Sequence, residues 1–328
     1  MAQTAQFNGS VTTLRGLATR PLTLALAAIA AMLIVGELLS PGFAAPSQII
    51  SQLTIAALLG IVAAGQNLVI LGGREGIDLS VGGMISLGAL VAGNVMQAEN
   101  AAIPLALAVT LAVTFTLGLA NGFGVTIMRI PPLVMTLGMY GVIQGALVVL
   151  TRGIPSGRAA PLLNDFVTNP VLLGIPGILF VWVMIGIGMT VFLRRTAFGL
   201  KIFAIGTNEE AAALAGISVR RTRVILFGLS GMFAGLTGFL VLGYTGNVFV
   251  GVGDQYILPS IIAVVIGGTS LAGGTGGYIG TMAGAVVLVL LQSILTTLNI
   301  DPSGRQIVFG ATLLGLMLLY GRQRKLRM

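Results

Sequence analysis

Side chains able to do chemistry are scarce in this chain and unevenly placed. It has no Cys and no His, which removes disulfides, thiolate nucleophiles and the commonest general base and metal ligand. What remains gathers in two stretches. GGREGIDLSVGG at 72–83 sets Arg74, Glu75 and Asp78 between two long apolar runs. Three charges so close form either a buried catalytic or ion-binding cluster, or a turn where the chain meets water. NEEAAALAG at 208–216 lies in a segment, 194–223, with six basic and two acidic residues. There Asn208 can cap a short helix, Glu209 and Glu210 complement the positive end of its dipole, and Gly216 suits its C-terminal cap. No G-x-x-x-x-G-K-[ST] occurs, and neither Lys201 nor Lys325 follows a glycine. The chain therefore lacks the loop that cradles nucleotide phosphates in P-loop proteins.

Composition sets the elements that must hold these residues. Of 328 residues, 56% are hydrophobic and 8% charged, against about 25% charged in a soluble domain. Charge-free runs cover 38–73, 79–98, 100–128, 130–151, 166–193, 224–253 and 255–300, and a membrane-spanning helix needs about 20 mostly apolar residues. Backbone polar groups in hydrocarbon must pair internally, which leaves helices and closed barrels. Barrel strands alternate apolar and polar, whereas these runs are apolar all round. The expectation is an all-α membrane protein with about ten transmembrane helices, at 22–39, 50–71, 82–97, 102–127, 132–150, 172–193, 224–243, 256–268, 277–297 and 306–321. GGTSLAGGTGG at 267–277 splits the longest run, so the eighth span is short and reads as a broken helix. Residues 1–20 form a polar N-terminal segment, 21–321 the membrane domain and 322–328 a basic tail. The run at 22–39 resembles an uncleaved first span, because no small-residue cleavage site follows a short apolar core.

Charge orients the spans. Cytoplasmic segments carry an excess of Lys and Arg. With the N-terminus inside, the inner segments hold 14 of the 17 basic residues, and only Arg152, Arg158 and Arg305 lie outside. Both termini, the 72–80 turn and 194–223 are thus expected in the cytoplasm. The net charge of +8 is an orientation signal that can also touch anionic lipid; it gives no argument for nucleic acid. At the inner mouth, Asp78 or Ser80 can cap the following helix, and Arg74 and Glu75 need no burial; a functional gate is the alternative.

Inside the spans, Gly118/Gly122, Gly141/Gly145, Gly231/Gly235 and Gly280/Gly284 have the spacing that lets helices approach closely. Gln66, Asn67, Asn94, Asn121, Thr136 and Gln144 either line a solute path or make interhelical hydrogen bonds, worth about 0.6 kcal/mol each. On the outer side, 151–171 and 244–255 are long enough to meet a soluble partner, with Arg152, Arg158, Asp165 and Asp254 as the available charges.

Several stretches together resemble a known family. Gly206, Glu209, Glu210, Ala211, Ala212 and Gly216 look like the EAA loop of ABC importer permeases. GIDLSVG at 76–82 (with Gly76, Asp78, Ser80 and Gly82), NG at 121–122, RIPPLVMTLGM at 129–139 and AVVIGGTSLAGGTGGYIGT at 263–281 resemble ribose-type sugar permeases, in the same order and at similar spacing. The likeness extends from about residue 20 to 321; branched-chain amino-acid permeases are relatives. Four residues, Gly72 to Glu75, precede GIDLS where the family pattern has two, and Gln144 stands where many members carry Arg.

The resemblance implies a type II importer fold in a bacterial inner membrane. It implies a monosaccharide as solute and no cofactor in this chain, ATP and Mg being bound by a partner ATPase. It further implies a periplasmic or extracellular sugar-binding protein and a second permease subunit, in a homodimer or a mixed pair. The 208–216 helix would dock on the ATPase, and Gln66, Asn67, Asn121, Thr136 and Gln144 would be candidates for the path. An ion-coupled secondary transporter is the rival. Such proteins usually place ionisable residues within spans, whereas all nine acidic residues here fall at or beyond the expected span ends. Sodium held by backbone carbonyls stays open. An intramembrane enzyme lacks a base or metal site.

Overall fold

The computed structural model describes residues 21–73, 76–249 and 251–324, with side-chain surroundings through residue 315. Expectations for residues 1–20, for Arg74 and Glu75 and for 325–328 lie outside the described residues.

Proline punctuates the helix starts, because its fixed φ and missing N–H suit the first turn. Helix α1 spans Pro21–Leu39, α2 Pro46–Leu71, α3 Val81–Met96, α4 Ile103–Thr126, α5 Pro132–Thr151 and α6 Pro161–Thr168. A small hairpin pairs β1 (Pro170–Leu172) with β2 (Ile175–Pro176), turning through Leu173 and Gly174, both at positive φ. The chain continues as α7 (Gly177–Arg195), α8 (Ala197–Thr207), α9 (Glu209–Leu214), α10 (Val219–Thr245), α11 (Ile257–Ile266), α12 (Tyr278–Thr297) and α13 (Pro302–Arg324).

Seven of these helices (α1, α2, α4 with the short turn before it, α5, α7, α10 and α12) are long and apolar enough to cross a membrane. The expected count of ten is therefore not reached by length alone. At 16 and 10 residues, α3 and α11 are short; α3 is preceded by largely buried irregular chain at 76–80 and α11 by a 3-10 turn at Asp254–Tyr256. The short eighth span expected at 256–268 is α11, and the glycine stretch at 267–277 separates it from α12; residues 247–249 and 251–253, expected in an outer loop, run without helix ahead of it. Residues 197–207, read from sequence as loop, are the helix α8, and the last helix continues to Arg324, past the expected start of the basic tail. Mean burial orders the bundle. In α2, 89% of the apolar window is buried, against 17% in α5 and 11% in α1. The core is thus α2, with α10 and α12 packed on it.

Glycine permits that packing. Gly118 and Gly122 of α4 face α10 so closely that an added Cβ would run into the Phe227 carbonyl or the Val224 backbone. Gly231 and Gly235 return the contact from α10 onto Thr114, and Gly280 and Gly284 of α12 lie on Gly267 and on Ala263 of α11. Gly141 and Gly145 of α5 depart from this pattern, because an added Cβ would meet nothing within 4 Å. Gly118→Ala is accordingly expected to lower stability by about 1–3 kcal/mol through overpacking, while Gly141→Ala in the isolated protomer leaves it unchanged or slightly raised. Thermal unfolding in detergent measures both.

Candidate functional site

The short helix α9 forms as its sequence dictates. Asn208 sits in extended backbone, and its Oδ1 accepts from the Ala211 N–H at 3.0 Å. Glu209 and Glu210 occupy the first turn, where the dipole favours negative charge. Gly216 takes φ +80° and ends the helix, a conformation that side chains with a Cβ rarely adopt. Ala212 is buried, whereas Glu210, Ala211 and Gly216 are exposed, and Leu214 projects at 90% exposure. Glu209 is not merely a dipole complement. It receives both terminal nitrogens of Arg223, at 3.0 and 2.8 Å, in the paired geometry that Arg and carboxylate favour. That ion pair fixes α9 to the first turn and a half of α10, and Arg223 was missed as a partner in the sequence because the contact spans fourteen residues.

Behind α9 three chain segments meet backbone to backbone. Gly206, near the end of α8, lies against the Leu71 carbonyl and the Gly274 N–H, where an added Cβ would collide with both. Gly274 donates its N–H to the Leu71 carbonyl at 3.0 Å. Gly73 and Gly273 complete the junction, each so near its neighbours that a Cβ on Gly273 would fall 2.5 Å from the Gly73 Cα. Residues 71–73, the end of α8 and the 267–277 loop are thus one unit. Beside it a cleft of about 850 Å³ is lined by Gly73, Gly76, Arg129, Glu209, Arg220 and Arg223 among others.

Residues 76–80 do not lie at a wet turn. Asp78 and Ser80 are fully buried, which corrects the expectation for the inner mouth. Asp78 Oδ1 accepts from the Ser80 N–H at 3.0 Å and from its hydroxyl at 2.5 Å, and Oδ2 accepts from the Ser230 hydroxyl of α10 at 2.8 Å. Asn121 of α4 donates to Ser80 Oγ at 2.8 Å. The Gln66 amide of α2 pairs with the backbone of Asp78, donating to its carbonyl and accepting from its N–H at 3.2 Å each. Thr136 of α5 accepts from the Leu79 N–H at 3.1 Å. A buried carboxylate demands donors, which Ser80 and Ser230 of α10 supply; α2, α4 and α5 bond to the backbone and side chains around it. Asp78 does bond at the start of α3 as expected, but the Ser80 side chain makes no cap bond there. Gly76 and Gly82 serve close approach: added Cβ atoms would meet the Val69 carbonyl and Ile257.

The path candidates divide accordingly. Gln66, Asn67, Asn121 and Thr136 are fully buried, so in this conformation they fasten helices and do not face an opening. Asn67 donates to Thr269 and Thr281 at 2.8 and 3.0 Å. Asn94 donates to the Ser156 carbonyl at 3.0 Å. Asn94 is exposed and Gln144 half-buried; the Gln144 Nε2 lies 3.0 Å from Asp254 Oδ1. Asp254, expected in an outer loop beside Arg158, is instead carried down to the middle of α5. The expectation that every acidic residue falls at a span end therefore fails for Asp78 and Asp254. Asp78 had a legible signal: Ile77 and Leu79 flank it in a stretch otherwise suited to burial. Asp254 had none, because the non-helical descent of 247–253 has no periodicity.

A family model described as the permease component of a branched-chain amino acid transport system matches residues 48–317. The chain is 34% identical over 290 residues to the ribose import permease protein of Bacillus subtilis strain 168, covering 88% of this chain and 89% of the relative. It is 33% identical over 287 residues to a probable ABC transporter permease protein of Escherichia coli strain K12, covering 87% and 85%. An autoinducer 2 import system permease protein of Yersinia enterocolitica is 33% identical over 272 residues, covering 82% and 74%. No solved structure matches the chain.

Removing the Asp78 carboxylate leaves the Ser80 and Ser230 donors unsatisfied in the core. Asp78→Ala is expected to cost about 1–3 kcal/mol and Asp78→Asn less, because the amide oxygen keeps one acceptor. Comparative melting of the purified variants reads the order directly; equal stability of all three proteins contradicts the assigned knot.

Proposed function

Because the chain belongs to the family of permease components described for branched-chain amino acid transport systems, and is a multi-pass membrane transport subunit, we propose that it forms the path of an ATP-driven importer for a monosaccharide, a pentose or hexose. One observation carries the sugar assignment: likeness to a ribose import permease runs through 88% of the chain. The family description itself keeps a branched-chain amino acid as the second reading.

The chain supplies a transmission element and no phosphate-binding loop, so the reading places ATP and Mg on a separate cytoplasmic ABC ATPase. Helix α9 is the surface offered to it. Its N-cap bond, the Glu209–Arg223 pair and the exposed Leu214 make a stiff element with an apolar tip suited to a groove. Force applied there reaches α10 through Arg223, and reaches α2 and the 267–277 loop through Gly206. A bending loop would absorb that motion; a capped helix against a glycine junction passes it on. Glu210, Ala211, Ala212 and Gly216 belong to this element as docking or cap residues.

At the opposite end, the segment around Arg152 and Arg158 faces a periplasmic or extracellular sugar-binding protein. The open face of α5, with Gly141 and Gly145 uncovered, suits a second permease subunit, in a homodimer by the simplest assembly. The chain then sits in a bacterial inner membrane with both termini cytoplasmic, surrounded by lipid, as the distribution of Arg and Lys supports.

Glu210→Lys reverses the charge at the start of α9, and Gly216→Pro cannot adopt the positive φ of the cap. Each is expected to abolish ATP-dependent sugar uptake while membrane insertion is unchanged. Uptake assays in cells carrying the whole system, with immunoblots of the membrane fraction, check this. Uptake at the wild-type rate in either variant contradicts the coupling role.

A further inference from the structure

At mid-span on the open side of α5, three polar side chains form one hydrogen-bonded group. Tyr140 and Gln144 are the ninth and thirteenth residues of this 20-residue helix, or about 12 and 18 Å along it. The Tyr140 hydroxyl donates to Asp254 Oδ1 at 3.0 Å, and Gln144 Nε2 donates to the same oxygen at 3.0 Å and to the Tyr140 oxygen at 3.1 Å. Asp254 is exposed and its two partners are half-buried.

Its position is built and specific. The chain descends from the Arg158–Asn247 bridge at the opposite end to Gly253, whose N–H donates to the buried Ser86 hydroxyl at 3.0 Å. Gly253 packs directly on Gly82, where an added Cβ would strike the Gly82 carbonyl. This lock holds Asp254 at the level of Tyr140 and Gln144.

A carboxylate at this depth does not face hydrocarbon without severe cost; such groups face a bundle interior or a water-filled cavity. Along the same helix, added Cβ atoms at Gly138, Gly141 and Gly145 meet nothing within 4 Å among the described residues. Asp254 Oδ2 and Gln144 Oε1 have no hydrogen-bond partner among the described residues. The group therefore presents two unspent acceptors, one of them charged, beside an aromatic ring. Two neighbouring hydroxyls of a sugar are the complementary donors, and the ring offers a face for its C–H groups. The negative charge disfavours an anionic solute.

We propose that Tyr140, Gln144 and Asp254 form a binding station for the vicinal hydroxyls of an uncharged sugar on the translocation path. The station rests on the import reading above. It holds the solute loosely, because a path site must release what it binds.

The absence of Cys from the natural chain makes the test direct. The complete transporter, with its ATPase and sugar-binding protein, is placed in right-side-out vesicles with D-ribose as probe. In Gln144→Cys, a charged, membrane-impermeant methanethiosulfonate is expected to modify the thiol and block uptake, and transport-saturating D-ribose slows the modification at least fivefold. Asp254→Asn is expected to lower the maximal uptake rate about tenfold, roughly the loss of one charge-assisted hydrogen bond. Half-saturation, set by the sugar-binding protein, stays within about twofold, and ATP hydrolysis by the complex continues. A thiol that stays unmodified, or reacts equally fast with and without the sugar, overturns the station, as does a wild-type maximal rate in Asp254→Asn. Wild-type vesicles that take up neither D-ribose nor any other pentose or hexose with ATP overturn the import reading and the station with it. Normal wild-type uptake with unaffected variants overturns the station alone.

Discussion

The architecture depends on a contact that only glycine permits. Gly73, Gly206 and Gly273–Gly274 bring the end of α2, the end of α8 and the loop before α12 within backbone distance, and the Gly274 N–H to Leu71 carbonyl bond locks the first to the third. Any side chain at Gly206 would separate them. Because α9 follows α8 directly and is tied to α10 by Glu209 and Arg223, the most exposed functional element is joined to the most buried helices without a flexible link. Motion of α9 is therefore motion of the core.

Above that junction the Asp78 knot performs the complementary task. It joins α2, α3, α4 and α10 by hydrogen bonds that a low-dielectric interior makes costly to leave unmade. Junction and knot are only a few residues apart in sequence, at 72–80, which explains why one short polar stretch interrupts an otherwise apolar chain. Asp78 there is not at a solvated turn. It is a buried fastening, and Asp254 is the carboxylate left facing an opening.

Much of this was legible in the sequence. Helix positions followed from charge-free runs, the α9 caps from Asn208 and Gly216, and the separation of α11 from α12 from the glycines at 267–277. Close approach was legible at Gly118, Gly122, Gly231 and Gly235. What escaped was three-dimensional by nature. Irregular chain has no hydrophobic period, so residues 247–249 and 251–253 and the burial of 76–80 read as ordinary loops. Asn67, Asn121 and Thr136 looked alike as intramembrane polar residues, and only their partners distinguish fastening from lining. Helix α8 lay hidden because its two ends, at Thr196 and Asn208, sit inside a basic segment that reads as surface loop.

One buried carboxylate, Asp78, and one exposed at the middle of α5, Asp254, weaken the sequence argument against an ion-driven carrier, so the driving force is the point on which the account stands. The direct measurement is D-ribose uptake into proteoliposomes holding this chain, its ATPase and its sugar-binding protein. The account predicts uptake that requires ATP and the ATPase and persists when proton and sodium gradients are collapsed. Uptake driven by an ion gradient in vesicles lacking the ATPase would contradict it.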